Sequence, residues 1–443
     1  MEIKMNSNNL LTKKVIINTA VILPIIFTSF FVYKFGITIP FCDQWELVPL
    51  LEKMHNHSLT IADLWAQHNE HRIILPQIVM LVLARLSNWN IFLELCTNIV
   101  LAIFILLFLL SILENTLKTT SPLLKIFISL MVFSMIQYEN WIWGWQIQLF
   151  MSALGSVAAI WAANKWQGKT IGLIIVILAA ILSSYSFNSG LLTWPAVLVV
   201  FLLQKKWKMK HIIILVLACT ATVLLYYHKY TKPSYHPPVL FFMSHPLIYI
   251  KYVLIYLGGS LGWNYYPSAS EAVAIISLLL ISLAIFNLWR FDKQKLCDMA
   301  PWAGLALYAC MAACATGLGR SGFGWQQAFS SRYTVFSLFL PLSACILMRH
   351  SIRFNPKIKN KFLKNILFII ITPIFIVSYI NCYYIGLQNM MGFSAYTYTA
   401  AFCLNNPQTA PDYFLKRLYP APNIVRPRIK TLAELGIKFK AAK

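Results

Sequence analysis

Five of the fourteen carboxylates in the sequence, Asp43, Glu46, Glu52, Asp63 and Glu70, fall between positions 43 and 70. Glu52 and Asp63 read as ordinary hydrated acids. Asp43 differs, because it closely follows the first apolar run and has Trp45 beside it, where an acid is held at a membrane surface. Partial desolvation there is expected to raise its pKa and make it a usable base toward a hydroxyl. Further on, His68-Asn69-Glu70-His71-Arg72 sets two imidazoles around a carboxylate. The spacing lacks the H-E-x-x-H pattern that puts two imidazoles on one helical face, and no third ligand is evident, so no metal site is read. Arg72, preceded by His, Glu and Asn, suits a phosphate or sugar hydroxyls better.

Three more clusters have the same character. Tyr138-Glu139-Asn140-Trp141-Ile142-Trp143-Gly144-Trp145-Gln146-Ile147-Gln148 joins three indoles to one acid and several amides. An aromatic belt accounts for the Trp residues alone, whereas rings beside amides and a carboxylate are what a sugar requires. Ser186-Phe187-Asn188-Ser189-Gly190 is a tight, hydroxyl-rich turn. Gly319-Arg320-Ser321-Gly322-Phe323-Gly324-Trp325, followed by Ser330-Ser331-Arg332-Tyr333, places two arginines in a glycine-rich turn. Backbone N–H groups of such a turn approach a phosphate closely.

These clusters must be positioned by membrane helices. The composition is 59% hydrophobic and 12% charged, with a mean hydropathy of +0.65. About 25% charged residues is usual for a soluble domain, so a soluble fold is excluded. Apolar runs near the ~20 residues that cross a bilayer recur along the chain. The formal charge of +23 lies mostly in short loops between them, a positive-inside pattern and not a nucleic-acid patch. Anchored on the basic turn Lys205, Lys206, Lys208 and Lys210, eleven spans are expected near 14–34, 91–113, 122–138, 147–163, 170–187, 190–204, 211–227, 270–289, 299–318, 333–348 and 364–385. The N-terminus is then cytoplasmic and the C-terminus outside. Arg72 to Leu86, short and interrupted by Pro76 and Arg85, is expected to lie in the outer interface and not to cross. With that choice twenty Lys and Arg fall inside and nine in outer loops, which favours it.

The outer side then receives the loop 35–90, the turns 138–146, 187–190 and 319–332, a longer loop 228–269 and a tail from 386. Within 228–269, Tyr252 to Leu261 reads as re-entrant or interfacial. The proline-rich tail reads as irregular, with one short helix near Thr431 to Lys438. The first run, preceded by Lys13 and Lys14, reads as a retained helix rather than a signal peptide. Most of the nine cysteines lie inside spans, and Cys42 and Cys403 are the one pair able to meet outside.

Assembled, the residues resemble the C-type glycosyltransferase superfamily, membrane enzymes that use polyprenyl-phosphate sugars. The resemblance rests on an acid just after the first span and a juxtamembrane helix before the second. Asp43-Gln44-Trp45, His68-Asn69-Glu70-His71-Arg72, Glu139-Asn140-Trp141 and Ser330-Ser331-Arg332-Tyr333, with an outer tail, look most like the serotype-converting O-antigen glucosyltransferases of bacteria and their prophages. The single acid at Asp43 departs from members with paired acids there. The resemblance implies an all-α polytopic fold with a catalytic unit over 1–385 and a periplasmic tail over 386–443. It implies transfer of a sugar, glucose, from undecaprenyl phosphate to an O-antigen hydroxyl of lipopolysaccharide at the periplasmic face of the inner membrane, without a cofactor. Asp43 would be the base. Arg72, Arg320 and Arg332 would hold the leaving phosphate, and Glu70, His71 and Glu139 would orient hydroxyls. Trp141, Trp143 and Trp145 would lie under the sugar, with Trp45, Asn188 and Tyr333 completing the substrate site. Two other readings stay open on the residues alone: a transporter or flippase for a lipid-linked saccharide, and an O-antigen polymerase or ligase. Midplanes almost free of charge and the absence of a visible repeat weigh against the first. An acid-rich first loop weighs against the second.

Overall fold

The computed structural model describes residues 7–117, 121–262, 266–354 and 361–439, with side chains from residue 15 onward apart from 353–372. Every regular element among these residues is helical. Among the described residues eight helices are long and apolar enough to cross a membrane: Val15–Phe35, Ile91–Thr116, Pro122–Ile142, Gly144–Lys165, Met209–Tyr227, Pro267–Phe291, Ala300–Phe323 and Ser331–Ile352. The chain is a multi-pass membrane protein of all-α class. The spans expected at 170–187 and 190–204 take the form of the shorter helices Thr170–Ser184 and Asn188–Gln204. The run 364–385 falls inside the helix Lys361–Tyr398, and its first residues have side chains outside the described set.

Ile147–Lys165 is buried on nearly every face, as a helix apolar all round must be when it forms the centre of a bundle. It packs on Thr170–Ser184, and Gly155 permits the approach: a Cβ there would stand 2.6 Å from the Ala179 carbonyl oxygen. Hydroxyls knit the same contact, with Ser156 Oγ 2.9 Å from Ser183 Oγ and 2.7 Å from Thr193 Oγ1. Such polar links hold helices together where the hydrophobic effect between them is absent.

Ile74–Ser87 has 14 residues, about 21 Å at 1.5 Å per residue, which falls short of a bilayer core of ~30 Å. Its Val82 and Leu86 remain exposed. Pro246–Gly258 is likewise too short to cross, yet Tyr252, Ile255 and Tyr256 are buried among neighbouring helices.

The tail is more ordered than its prolines suggest. Lys361–Tyr398 runs past residue 386, and Asp412–Leu418 and Pro422–Glu434 are helices. Pro422 stands in the first turn of its helix, where the missing N–H costs nothing. Tyr398 Oη donates to the Gly36 carbonyl at 3.0 Å, which ties the tail to the end of the first span. Cys42 and Cys403, the pair considered for a disulfide, are both free.

Candidate active site

The 3-10 turn Cys42–Leu47 leaves the first span and carries Asp43. Cys42 has φ 44°, in the left-handed region, at a cost of about 1–2 kcal/mol for a residue with a Cβ. The surroundings hold it there from two sides. Gln44 Nε2 donates to Glu94 Oε2 at 2.6 Å, and the Trp89 indole N–H donates to Glu94 Oε1 at 2.9 Å. Gly144 closes over this carboxylate, since a Cβ there would meet Glu94 Oε2 at 2.2 Å. On the other side Glu46 accepts both terminal nitrogens of Arg428, at 2.8 and 2.9 Å, and the Tyr419 hydroxyl at 2.8 Å. Residues three apart eclipse in a 3-10 helix, so the grip on Glu46 also fixes the direction of Asp43.

His68 and His71 exchange backbone hydrogen bonds of 2.9 and 2.8 Å, closing a tight turn in which Asn69 takes φ 49°. Asn tolerates that conformation, and the turn sends Glu70 toward Arg320, with which it forms an ion pair. Glu70 Oε1 also lies 3.5 Å from His71 Nε2, and Oε2 lies 3.5 Å from His236 Nε2. His71 Nδ1 accepts from the Asn188 N–H at 3.4 Å, and its ring stacks on Phe187 at 4.0 Å. An accepting Nδ1 puts the proton of the neutral ring on Nε2, facing Glu70.

Glu139 is gripped by the last of these turns. Its N–H donates to Ser331 Oγ at 3.1 Å, and its Oε2 accepts from Ser331 Oγ at 2.8 Å. Arg332 Nε donates to Ser330 Oγ at 3.0 Å and stands 3.9 Å from Glu139 Oε1, with the guanidinium 5.6 Å above the Trp143 ring. Among the described residues the two terminal nitrogens of Arg332 carry no hydrogen bond.

The clusters converge on two adjoining cavities. One, of about 110 Å³, is lined by Asp43, His68, His71, Gln148, Arg320 and Arg332. The other, of about 440 Å³, has apolar walls at Leu191, Leu192, Val239 and Leu318, with Lys232 and His236 in its polar part. His71, Phe187, Arg320 and Tyr333 border both.

The electrostatics differ from the sequence expectation at Asp43. Burial raises its pKa, but His68, with Nε2 3.8 Å from Oδ2, and the Arg332 charge outweigh burial and hold the carboxyl below its ordinary range. Burial likewise opposes the charge on Glu70, and His71 and Arg320 overcome it, bringing the carboxyl to about 2. His71 goes the other way: burial disfavours the imidazolium more than Glu70 favours it, and its pKa falls to about 4. At neutral pH the site therefore presents two carboxylates and a neutral His71.

Two groups of expected binding residues have other tasks. The Arg72 side chain is buried and donates to three backbone carbonyls, those of Trp65 at 2.6 Å, Tyr226 at 2.6 Å and His228. It clamps the first loop to the end of Met209–Tyr227, with each of its three nitrogens engaged there, and it lines neither cavity. Trp45, Trp141, Trp143 and Trp145 are all buried. Trp141 donates to Ser134 and Trp143 to Phe41, so these rings support the site from behind and offer no open face to a sugar. The aromatic surfaces that border the cavities are Phe187, Tyr227, Tyr230 and Tyr333. Sequence reasoning passed over Lys232 and His236, whose only signal was a basic residue and a histidine in the loop after Met209–Tyr227.

No family model and no curated protein matches the chain. Two solved structures do. The archaeal oligosaccharyltransferase AglB from Archaeoglobus fulgidus, in complex with an inhibitory peptide and a dolichol-phosphate, aligns over 92% of this chain at 13% identity and a TM-score of 0.46. The Archaeoglobus fulgidus oligosaccharyltransferase complex with Zn and sulfate aligns over 90% at 11% identity and a TM-score of 0.42. This chain spans 60% and 57% of their respective lengths.

Proposed function

We propose that the chain is a membrane glycosyltransferase of the C type, moving glucose from undecaprenyl phosphate to a hydroxyl of the O-antigen repeat of lipopolysaccharide at the periplasmic face of the inner membrane. The observation that carries the reading is the pair of joined cavities, one walled by apolar side chains and the other by Asp43 with two arginines. A donor with a lipid tail and a phosphate head needs that succession.

In the reaction the acceptor oxygen forms a bond to the anomeric carbon while the bond from that carbon to the phosphate oxygen breaks. The acceptor proton passes to Asp43, and the lipid phosphate departs with the electron pair. A carboxylate of low pKa does not deprotonate a resting alcohol. It takes the proton late, as the attacking oxygen gains positive character beside an oxocarbenium-like carbon. Arg332, with two unengaged donors, and Arg320 stabilise the growing charge on the phosphate. Neutral His71 and the carboxylates of Glu70 and Glu139 orient hydroxyls or the arginines themselves.

The test is mass spectrometry of lipopolysaccharide from a host with and without the chain, and with Asp43→Asn. The expected outcome is one added hexose per repeat with the wild-type chain and none with Asp43→Asn at equal membrane abundance. Altered chain length with no added sugar would instead mark a polymerase, and full modification by Asp43→Asn would remove Asp43 from the mechanism.

A further inference from the structure

Gln148 stands at the start of Ile147–Lys165, in the wall of the smaller cavity with Asp43 and Arg332. It is 6% exposed, and its Oε1 is buried with no hydrogen-bond partner. A buried amide oxygen left unpaired is costly, and a ligand that donates to it removes that cost. The other amide side chain of this wall, Asn69, has its Oδ1 taken by the Tyr235 hydroxyl. Gln148 is the amide that the protein itself leaves open there.

The location limits what can complete it. The same cavity holds the carboxylate assigned to the acceptor proton and the arginines assigned to the phosphate, so the group between them is the transferred sugar or the sugar that receives it. An amide offers one acceptor and two donors, which matches a hydroxyl that both donates and accepts. We propose that Gln148 hydrogen-bonds a sugar hydroxyl next to the reacting carbon and thereby selects which sugar is transferred. The assignment rests on the glycosyltransferase reading and adds to it the residue that sets specificity. Phe187 and Leu149, the apolar neighbours of Gln148 in this wall, supply shape but no means of reading a hydroxyl.

The experiment pairs Gln148→Leu with singly deoxygenated substrates in proteoliposomes, using undecaprenyl-phosphate glucose and lipopolysaccharide as the parent pair. With the parent pair, Gln148→Leu is expected to lower kcat/KM about ten- to a hundredfold. Removing the contacted hydroxyl costs the wild-type chain a similar factor and costs Gln148→Leu almost nothing further. If the insensitive analogue is a deoxy donor, the hydroxyl belongs to the transferred sugar. If it is a deoxy acceptor, the hydroxyl belongs to the receiving sugar, and selection of the transferred sugar by Gln148 is overturned. Equal losses for wild type and variant with every analogue overturn the proposal, as does an unimpaired Gln148→Leu. This comparison is internal to each protein, so a partly misfolded variant changes both rates alike and leaves the ratio readable. Absence of transfer by the wild-type chain refutes the donor assignment itself, a result distinct from the others.

Discussion

Arg332 offers the sharpest check on how the site handles charge. Its Nε is committed to Ser330 at 3.0 Å and its charge is shared with Glu139 at 3.9 Å, while the two terminal nitrogens stay unengaged among the described residues. A fork of that kind can give two parallel charge-assisted bonds to phosphate oxygens. Removing a preorganised donor aimed at developing charge costs about 2.7–4 kcal/mol, so Arg332→Ala should lose about a hundred- to a thousandfold in kcat/KM. Arg332→Lys keeps the charge and loses one bond, worth about 1.5–3 kcal/mol, and should fall in between. Collapse of Glu139 does not confound the result, because Ser331 still holds it at 2.8 Å. The lost contact with the buried Trp143 ring is an indole-cation pair worth about 2 kcal/mol, which the melting-temperature control reads. The assay is a titration of undecaprenyl-phosphate glucose in proteoliposomes, with melting temperature in detergent as the control. A loss seated in kcat reports transition-state stabilisation. Arg332→Ala within twofold of wild type at equal stability would refute the phosphate role.

Other expectations follow from the same geometry. Arg428→Ala frees Glu46 and loosens the turn that carries Asp43. For a partly exposed pair the stability cost should be about 1 kcal/mol, while kcat should fall by more than the melting temperature suggests, and an unchanged kcat would deny the tail any positioning role. The depressed pKa of His71 sets a pH dependence of stability. The unfolded chain binds a proton near 6.5 and the folded one not until about 4, so stability should be lost as pH falls through that window, by up to about 3 kcal/mol. Melting curves from pH 7 to 4 should show a shallower decline for His71→Gln than for wild type. Equal slopes would mean that Glu70, Arg320, His68 and Asp43, which face the ring, cancel its titration.

Much of the frame was legible because bilayer crossing imposes length and apolarity on the chain. The loop turns carrying Asp43, Glu70, Glu139, Arg320 and Arg332 stood out as polar islands in an apolar sequence, and the structure brings them to one end of the bundle. Pairing was not legible. Nothing local says that Arg72 would spend its donors on the carbonyls of residues 226 and 228, or that Glu94, inside an apolar run, would hold Gln44. The indoles misled for a related reason: a Trp at a membrane boundary packs as readily as it stacks on sugar, and burial is decided by neighbours remote in sequence. The sign of the Asp43 shift failed likewise, since desolvation can be anticipated from position and the opposing His68 and Arg332 cannot.

The distribution of ion pairs bears on which acid is the base. Glu70 faces Arg320, Glu139 faces Arg332, and Glu46 faces Arg428, each within 4 Å. A carboxylate in such contact gives up the attraction of a guanidinium when it is protonated, which raises the barrier to accepting a proton. Among the described residues Asp43 has no arginine within that distance and forms an ion pair only with the His68 imidazole, at 3.8 Å. It is thus the carboxylate of the cavity that can gain a proton without breaking a direct ion pair to arginine. Arg332 is near enough to lower its pKa and too far to occupy its oxygens. In the proposed transfer, that arrangement would keep Asp43 ionised before the reaction and available during it, and would leave the paired acids, Glu70 and Glu139, to anchor the arginines.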